Sequence, residues 1–291
     1  MNLLMASLFS FLLLFTARAT AASLPLSKDG YCERLDYKTT IKELSLNKEN
    51  LLTFKNQGGL FDGGVCWWHS RFQRNLLYLS IFHPEKARDK NPRPLIKQIR
   101  LGREVIHING FKNVEEFSNT YKKEILSELE DWQLYEGIVL SAWIQGLKGN
   151  HQISANEMQL RMNALYQYVE NLNKLAYQKL QIRGITAHAW LVTNIKKTDS
   201  GFVLGVIDSN WPNQSMMYTY KVGDRSFVSK SYGSFVPYLE FTREEERLVN
   251  VAKKYCQRAY SSLDLDEDQI QEDEYLDLIE HDTVHESLDF N

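Results

Sequence analysis

Cys66 is the first residue of this chain whose setting could support chemistry. It follows the glycine-rich stretch NQGGLFDGGV and begins the predicted helix CWWHSRFQRNLLYLSIF, residues 66–82. The first turn of a helix carries unpaired N–H groups and partial positive charge, and both favour a cysteine thiolate over the thiol. Such a cysteine is a candidate nucleophile, which also needs a base and a group that orients the base.

A histidine and an aspartate lie on two neighbouring predicted strands further along the chain. His188 lies within the alternating strand ITAHAWLV, Asp208 ends the strand GFVLGVID, and the turn-rich KTDS separates the two strands. In an antiparallel hairpin, residues equidistant from the turn come side by side, and both residues are about ten positions from its centre. The spacing therefore predicts that the Asp208 carboxylate holds the His188 imidazole, with Asn210 as the competing orienter.

Each of these residue types also has an ordinary structural role. A single cysteine is often a small buried hydrophobe, and an aspartate before Ser-Asn is common in turns. A histidine within a strand is often only a hydrogen-bonded structural residue. Residue type and spacing alone therefore leave both interpretations open.

Three short segments resemble the motifs of papain-like cysteine peptidases. KNQGGLFDGGVCWW is similar to the nucleophile motif of that family, in which Lys-Asn-Gln-Gly precedes a Cys-Trp pair that opens a long helix. TAHAWLV resembles the His-Ala segment of the family. IDSNWP resembles its Asn-Ser-Trp segment in part, with Trp211 at the tryptophan.

The resemblance implies a fold and roles for four residues. Cys66 would be the nucleophile, His188 the general base and later acid, and Asp208 the residue that orients the base. The side-chain amide of Gln57 and the backbone N–H of Cys66 would form the oxyanion hole, although Gln57 lies nine residues before Cys66, three more than in the family. The implied fold is papain-like. Its helical half carries the nucleophile helix and packs against an antiparallel β-sheet half that carries the histidine and the aspartate.

The order of the predicted elements also favours an α+β fold, because helices come first and a run of strands follows. A helix begins at Asn113, a second over 154–180 begins with the Ser154/Glu157 capping box, and a third is predicted between them over 132–146. A helix over 242–260 closes the domain. The strands are predicted over 184–195, 201–208, 215–223 and 234–241.

These boundaries divide the chain into three parts. Residues 1–22 are predicted to be a signal peptide, because the apolar run LLMASLFSFLLLF is followed by small residues with Ala-x-Ala spacing. Residues 23–262 form the predicted papain-like catalytic domain, with a helical insertion over about 113–180. Residues 263–291 form a predicted acidic, disordered tail. The protein is therefore expected to be exported, to the periplasm or the exterior, with no stable membrane insertion after signal cleavage.

The cysteines acquire a meaning in an exported chain. Of the three cysteines, Cys32 lies near the mature start and Cys256 near the end of the last predicted helix. A disulfide between them would tie the two ends of the domain together and leave Cys66 free. The pairing is not fixed by the sequence, and three free thiols remain the alternative.

The sequence predicts no metal, cofactor or nucleic-acid partner. His69 lies three residues after Cys66, beside it on the predicted helix, and is interpreted as structural or as a secondary electrostatic influence. The other histidines show no HExxH or paired-cysteine spacing. The sequence also has no phosphate-binding loop, dinucleotide fingerprint or nucleic-acid-binding motif.

The functional prediction is a secreted or periplasmic thiol hydrolase, a peptidase or amidase. It would act on a protein or peptide substrate through Cys66, His188 and Asp208 and an acyl-enzyme. One alternative is a transglutaminase or acyltransferase that uses the same triad with another acceptor. The second is a catalytically inactive papain-like binding or scaffold protein, which the longer loop between Gln57 and Cys66 favours.

We expect removal of residues 264–291 to leave the thermal unfolding midpoint unchanged. The whole chain has 34 basic and 37 acidic residues, but twelve of the acidic ones and no Lys or Arg lie in 264–291. Such a block has too little apolar surface to join a core. As a control, truncation from residue 250 cuts into the closing helix and should lower the midpoint sharply. A large drop for the shorter truncation would contradict the disordered tail.

Overall fold

The computed structural model describes most of the predicted catalytic domain. The described residues are 22–35, 40–59, 62–136, 149–184, 187–230, 232–240 and 242–260. The predicted signal peptide up to residue 21, the acidic tail and most of the predicted helix over 132–146 lie outside them. Among the described residues, no helix is both long and apolar enough to cross a membrane.

Helices dominate the first part of the described chain and strands the second. The helices are α1 (Lys28–Leu35), α2 (Thr40–Leu46), α3 (Cys66–Leu79), α4 (Arg93–Leu101), α5 (Val114–Thr120), α6 (Lys122–Leu134), α7 (Ala155–Tyr166) and α8 (Thr242–Tyr260). The strands are β1 (Ser80–His83), β2 (Ile106–Asn109), β3 (Ala176–Gln181), β4 (Ala187–Thr198), β5 (Gly201–Asp208), β6 (Ser215–Lys221), β7 (Phe227–Ser229) and β8 (Gly233–Glu240).

The main sheet is antiparallel and strongly curved. Its strand order is β6-β5-β4-β3-β8-β7, and its two edge strands β6 and β7 also contact each other, so the sheet approaches a barrel. Strands β1 and β2 form a separate parallel pair. The prediction of mixed helices with an antiparallel sheet is confirmed at this level.

Strand β4 lies between two hydrophobic clusters, because its side chains alternate between the faces of the sheet. Ala189 and Leu191 pack into the cluster that contains most of α3. Trp190 and Val192 pack into the cluster beneath α7. Helix α3, which begins at Cys66, and the strand that carries His188 therefore share a core.

Two predicted helices end earlier than expected. The helix predicted over 154–180 ends with a π-helical turn over Gln167–Asn171, and residues 176–181 are strand β3, so the predicted helical insertion (113–180) ends in a strand of the main sheet. Asn173 has φ +55, a left-handed conformation that a helix cannot continue through. Helix α3 likewise ends at Leu79, because the next four residues pair with β2.

A disulfide joins Cys32 of α1 to Cys256 of α8, and it closes a loop with a sequence separation of 224. This is the pairing that leaves Cys66 as a free, buried cysteine. The bond fastens the first described helix to the last, and α8 in turn contacts α3.

We expect the double variant Cys32→Ser/Cys256→Ser to lose about 2–5 kcal/mol of unfolding free energy, because the cross-link restricts the unfolded chain. Chemical denaturation of the purified variant measures this loss. Cys66→Ser provides the matched control, since it removes a thiol without removing a cross-link. Equal stability of the double variant and the wild type would show that the bond does not form in solution.

Candidate active site

Cys66 is held at the start of α3 by the residues directly before it. Val65 is the N-cap, with non-helical φ −111 and ψ 37, and its carbonyl accepts the N–H of His69 at 2.8 Å. Gly64 has φ +86, where any side chain would be strained. No acidic side chain lies in the first turn of α3. Cys66, which is 7% exposed, therefore places its thiol at the positive end of the helix.

The long loop before Cys66 closes upon itself. The N–H of Gly64 donates to the carbonyl of Gly58 at 2.8 Å, and the N–H of Asp62 donates to the carbonyl of Gly59 at 3.2 Å. The extra residues between Gln57 and Cys66 therefore form a side excursion, and the two ends of that excursion are adjacent. The path from Gln57 to the helix start is correspondingly short.

Asn56 connects this loop to the start of α3 and to the end of β5. Its Oδ1 accepts the N–H of Val65, and its own N–H donates to the carbonyl of Ser209 at 2.8 Å. Gln57 follows directly, with an exposed side chain. The sequence interpretation gave a role to Gln57 and none to Asn56, although both lie in the segment KNQGGLFDGGVCWW.

Helix α6 supports the loop from the outer side. Glu130 Oε1 accepts the N–H of Gly59 at 3.1 Å, and Gln133 Nε2 donates to the carbonyl of Gly64 at 3.0 Å. The backbone of the excursion is therefore bonded at both of its ends.

Three contacts fix α3 against the beginning of β4. Trp67 Nε1 donates to the carbonyl of His188 at 3.1 Å, and Ser70 Oγ donates to the carbonyl of Ala189 at 3.3 Å. Cys66 Sγ lies 3.7 Å from the carbonyl oxygen of Ala187. The Trp67 side chain thus links the helix that begins at Cys66 to the strand that carries His188.

Buried charges link α3 to Glu136 and to α8. Arg71 and Arg74 both bond to Glu244 of α8, and Arg71 Nη1 also bonds to Glu136 at 2.7 Å. Burial raises the pKa of Glu244, but the two arginines outweigh burial and hold the pKa well below its usual range. Removing one partner would leave an uncompensated buried charge, so the position of α3 is strongly determined.

A β-bulge brings Asp208 to the same face of the sheet as His188. The β4–β5 register pairs Thr198 with Gly201 near the turn, but shifts by one residue between Val192 and Asn194. After the shift Asp208 lies opposite Trp190, two residues from His188. Without the bulge, Asp208 would lie opposite Leu191 and face the other side, because alternate residues of a strand face opposite ways.

His188 and Asp208 form a short, buried hydrogen bond of 2.7 Å between Nε2 and Oδ1. The Asp208 carboxylate is completely buried and accepts two further hydrogen bonds, from the Asn210 N–H at 2.9 Å and the Tyr218 hydroxyl at 3.1 Å. Burial raises the pKa of Asp208, but His188 and these donors lower it below its usual value. The residue is therefore held as a carboxylate.

The His188 ring joins Asp208 to Cys66. Burial lowers the pKa of His188, but the charge and hydrogen bond of Asp208, followed by a hydrogen bond with Cys66, raise it to about 10. Since Nε2 is bonded to Asp208, Nδ1 is the nitrogen left for the sulfur. The structure thus brings together the three residues that the sequence interpretation selected.

Asn210, the competing orienter, occupies a different position. Its Nδ2 lies 3.4 Å from His188 Nε2, and its Oδ1 accepts from Asn56 Nδ2 at 3.3 Å. Because Nε2 donates to Asp208, it cannot also accept a hydrogen bond from an amide. The geometry therefore favours Asp208 as the orienting group and makes Asn210 a link to the loop.

His69 has a separate environment. Its Nε2 lies 3.1 Å from the carbonyl oxygen of Phe54, and burial lowers its pKa to about 4. The ring is therefore a neutral, buried donor at neutral pH. This agrees with the structural interpretation of His69.

Sequence reasoning did not single out the tyrosines around the pair. Tyr218 bonds to Asp208, and the Tyr232 ring lies 5.6 Å from the His188 ring between centroids. Tyr218 lies on β6, a strand whose side chains are mostly exposed or half-buried. Only the pairing register of β6 with β5 brings its hydroxyl to the Asp208 carboxylate. No local pattern in the sequence carries that information.

Within the described ranges, no group of three or more His, Cys, Asp or Glu side chains could hold a metal ion. Comparison of the chain with protein-family models, curated proteins and solved structures found no match. The papain-like resemblance therefore depends on the three short segments around Cys66, His188 and Asp208.

We expect the pKa of His188 to fall in the variant Asp208→Asn, because the charge that raises it is removed. NMR titration of the imidazole measures the change. In the wild type the raised pKa stabilises the fold fully below about pH 6.5, the usual value in an unfolded chain. That contribution is lost as pH rises through the folded value of about 10. Asp199→Asn, the same change in the exposed β4–β5 turn, should leave the His188 titration unaltered. An unchanged pKa in Asp208→Asn would contradict the pairing.

Proposed function

We propose that this protein is an exported thiol hydrolase that cleaves amide bonds of a protein or peptide through an acyl-enzyme. The observation that carries the proposal is the geometry at the start of α3. Contacts of Cys66 and Trp67 with the carbonyls of Ala187 and His188 place the thiol beside a histidine that is bonded to the fully buried Asp208. A nucleophile bonded to a base, and a base held by a third group, is the geometry that covalent catalysis requires. The resemblance to papain-like peptidases supports the same conclusion from the sequence.

In the proposed reaction, His188 already holds the proton at neutral pH, because its pKa is raised to about 10, and the Cys66 thiolate beside it attacks the substrate carbonyl carbon. A C–S bond forms, and the carbonyl π electrons move to the oxygen. Collapse of this intermediate breaks the C–N bond, and His188 gives its proton to the leaving amine. Water deprotonated by His188 then hydrolyses the acyl-enzyme and restores the thiol.

The oxyanion would be stabilised at the start of α3. The N–H of Cys66 belongs to the first helical turn, whose N–H groups have no partner within the helix. Gln57 is the side-chain donor that the resemblance implies. The closed excursion supports this role, because it keeps Gln57 close to the helix start despite the longer sequence between them.

Export is part of the proposal and depends on two features. The apolar segment 3–15 with its Ala-x-Ala sites is typical of a signal peptide. The Cys32–Cys256 disulfide is compatible with an oxidising compartment.

We expect an epoxysuccinyl thiol probe to label the wild-type protein at neutral pH and to leave Cys66→Ala unlabelled. His188→Ala should react at least about 10²-fold more slowly, because the group that deprotonates the thiol is lost. Mass spectrometry of the intact protein measures both. His151→Ala makes the same substitution outside the site and should label at the wild-type rate. Folded wild-type protein that stays unlabelled would favour the inactive binding or scaffold alternative.

A peptide library then separates hydrolysis from transfer. Shortened peptides with free carboxyl ends indicate a peptidase. Products joined to an added amine, with little free acid, would indicate the transferase that uses the same three residues.

A further inference from the structure

Tyr238 occupies a β-bulge on strand β8 at the height of the active site. The β3–β8 register pairs Lys179 with Leu239 and Leu180 with Pro237, so Tyr238 is the additional residue on β8. A bulge redirects a side chain out of the regular alternation of a strand. The orientation of Tyr238 is thus set by the irregularity of the sheet.

The bulge lies at the same level of the sheet as His188, across strand β3. Leu180 on the central strand β3 pairs with His188 on one side and with Pro237 on the other. The Tyr238 side chain packs against the hydrophobic cluster that includes Cys66 and Trp67. It therefore lies on the side of the sheet that carries the nucleophile helix.

The hydroxyl of Tyr238 is buried and has no hydrogen-bond partner within the described part of the chain. Buried hydroxyls are usually paired, so an unpaired one packed against the cluster that contains Cys66 suggests a partner that arrives with the substrate. The tyrosine on β6 beside the site differs in this respect, since Tyr218 donates to Asp208. The Tyr238 hydroxyl is the same kind of donor, but it donates to no acceptor among the described residues.

The electrostatics agree with a donor role. Burial first, and then the charge of Cys66, raise the pKa of Tyr238 above its usual value. The phenol therefore keeps its proton over the whole range in which a thiol enzyme works. Tyr238 and Cys66 also pack within the same hydrophobic cluster.

We propose that the Tyr238 hydroxyl donates a hydrogen bond to the oxyanion formed when Cys66 attacks a carbonyl carbon. This inference rests on the function proposed above. In the attack the C–S bond forms and the carbonyl π pair moves to the oxygen. Tyr238 shares its proton with that oxygen and does not transfer it, and His188 supplies the proton for the leaving group. The carbonyl oxygen is bonded to the carbon that the sulfur attacks, so a donor close to the sulfur is in reach of it.

Such a donor would complement Gln57. The Gln57 side chain is exposed, so water competes for its amide. A buried donor acts without that competition and needs no rearrangement when the negative charge develops. The site would then combine the Cys66 N–H with two side-chain donors of unequal exposure.

The variant Tyr238→Phe tests this role, because it removes only the unpaired oxygen. Two reactions of Cys66 are compared: acylation by p-nitrophenyl acetate, which forms an oxyanion, and alkylation by iodoacetamide, which displaces iodide and forms none. We expect the acylation rate to fall by about 10²-fold or more and the alkylation rate to stay at the wild-type value. Tyr220→Phe removes the hydroxyl of another buried tyrosine, on β6, and should change neither rate.

The outcomes separate this inference from the proposed function. Wild-type acylation with an equal rate in Tyr238→Phe overturns the role of Tyr238 alone. An equal fall of both rates also overturns it, because the hydroxyl would then act on the thiol and not on the oxyanion. A wild-type protein that is alkylated but never acylated would refute the hydrolase proposal itself. Thermal unfolding of each variant shows that it has the wild-type fold before the rates are compared.

Discussion

The complete burial of the Asp208 carboxylate is the constraint on which the site depends. An ionised carboxylate without water is unfavourable unless donors surround it, and here they come from three places: His188 on β4, the N–H of Asn210 after β5, and Tyr218 on β6. A slip of any of these strands by one residue would remove a donor. The charge therefore ties the register of the central sheet to the orientation of the imidazole.

Helix α3 is positioned by a second set of interactions that is independent of the first. Trp67 and Ser70 bond α3 to carbonyls of β4, while Arg71 and Arg74 bond it to Glu244 of α8. With spacings of three and four residues, these four side chains share one face of the helix. Cys66 thus meets His188 because two rigid bodies, a helix and a sheet, are joined along their shared core. The contacts of Asn56 with Val65 and Ser209 add to this positioning of Cys66.

The sequence was sufficient for local features and insufficient for those that depend on register. It predicted the helix that begins at Cys66, the hairpin that carries His188 and Asp208, and the mixed helical and antiparallel architecture. It did not predict the bulge between Val192 and Asn194, because a one-residue shift leaves no trace in hydrophobic alternation. The helix over 154–180 was predicted too long, since the apolar spacing there suits a helix as well as the buried strand β3. The partners of Asn56 and Tyr218 are distant in sequence, and only the folded chain shows them.

The bond between Cys32 and Cys256 also imposes an order on biosynthesis. Cys256 is synthesised more than 200 residues after Cys32, with a separation of 224 positions. During that interval the growing chain contains Cys32 and Cys66 but not the correct partner. A premature bond between these two would block the Cys66 thiol and leave Cys256 without its partner. Once Cys66 is buried in the core around α3, its thiol is shielded from this competing reaction, and Cys32 stays available for Cys256.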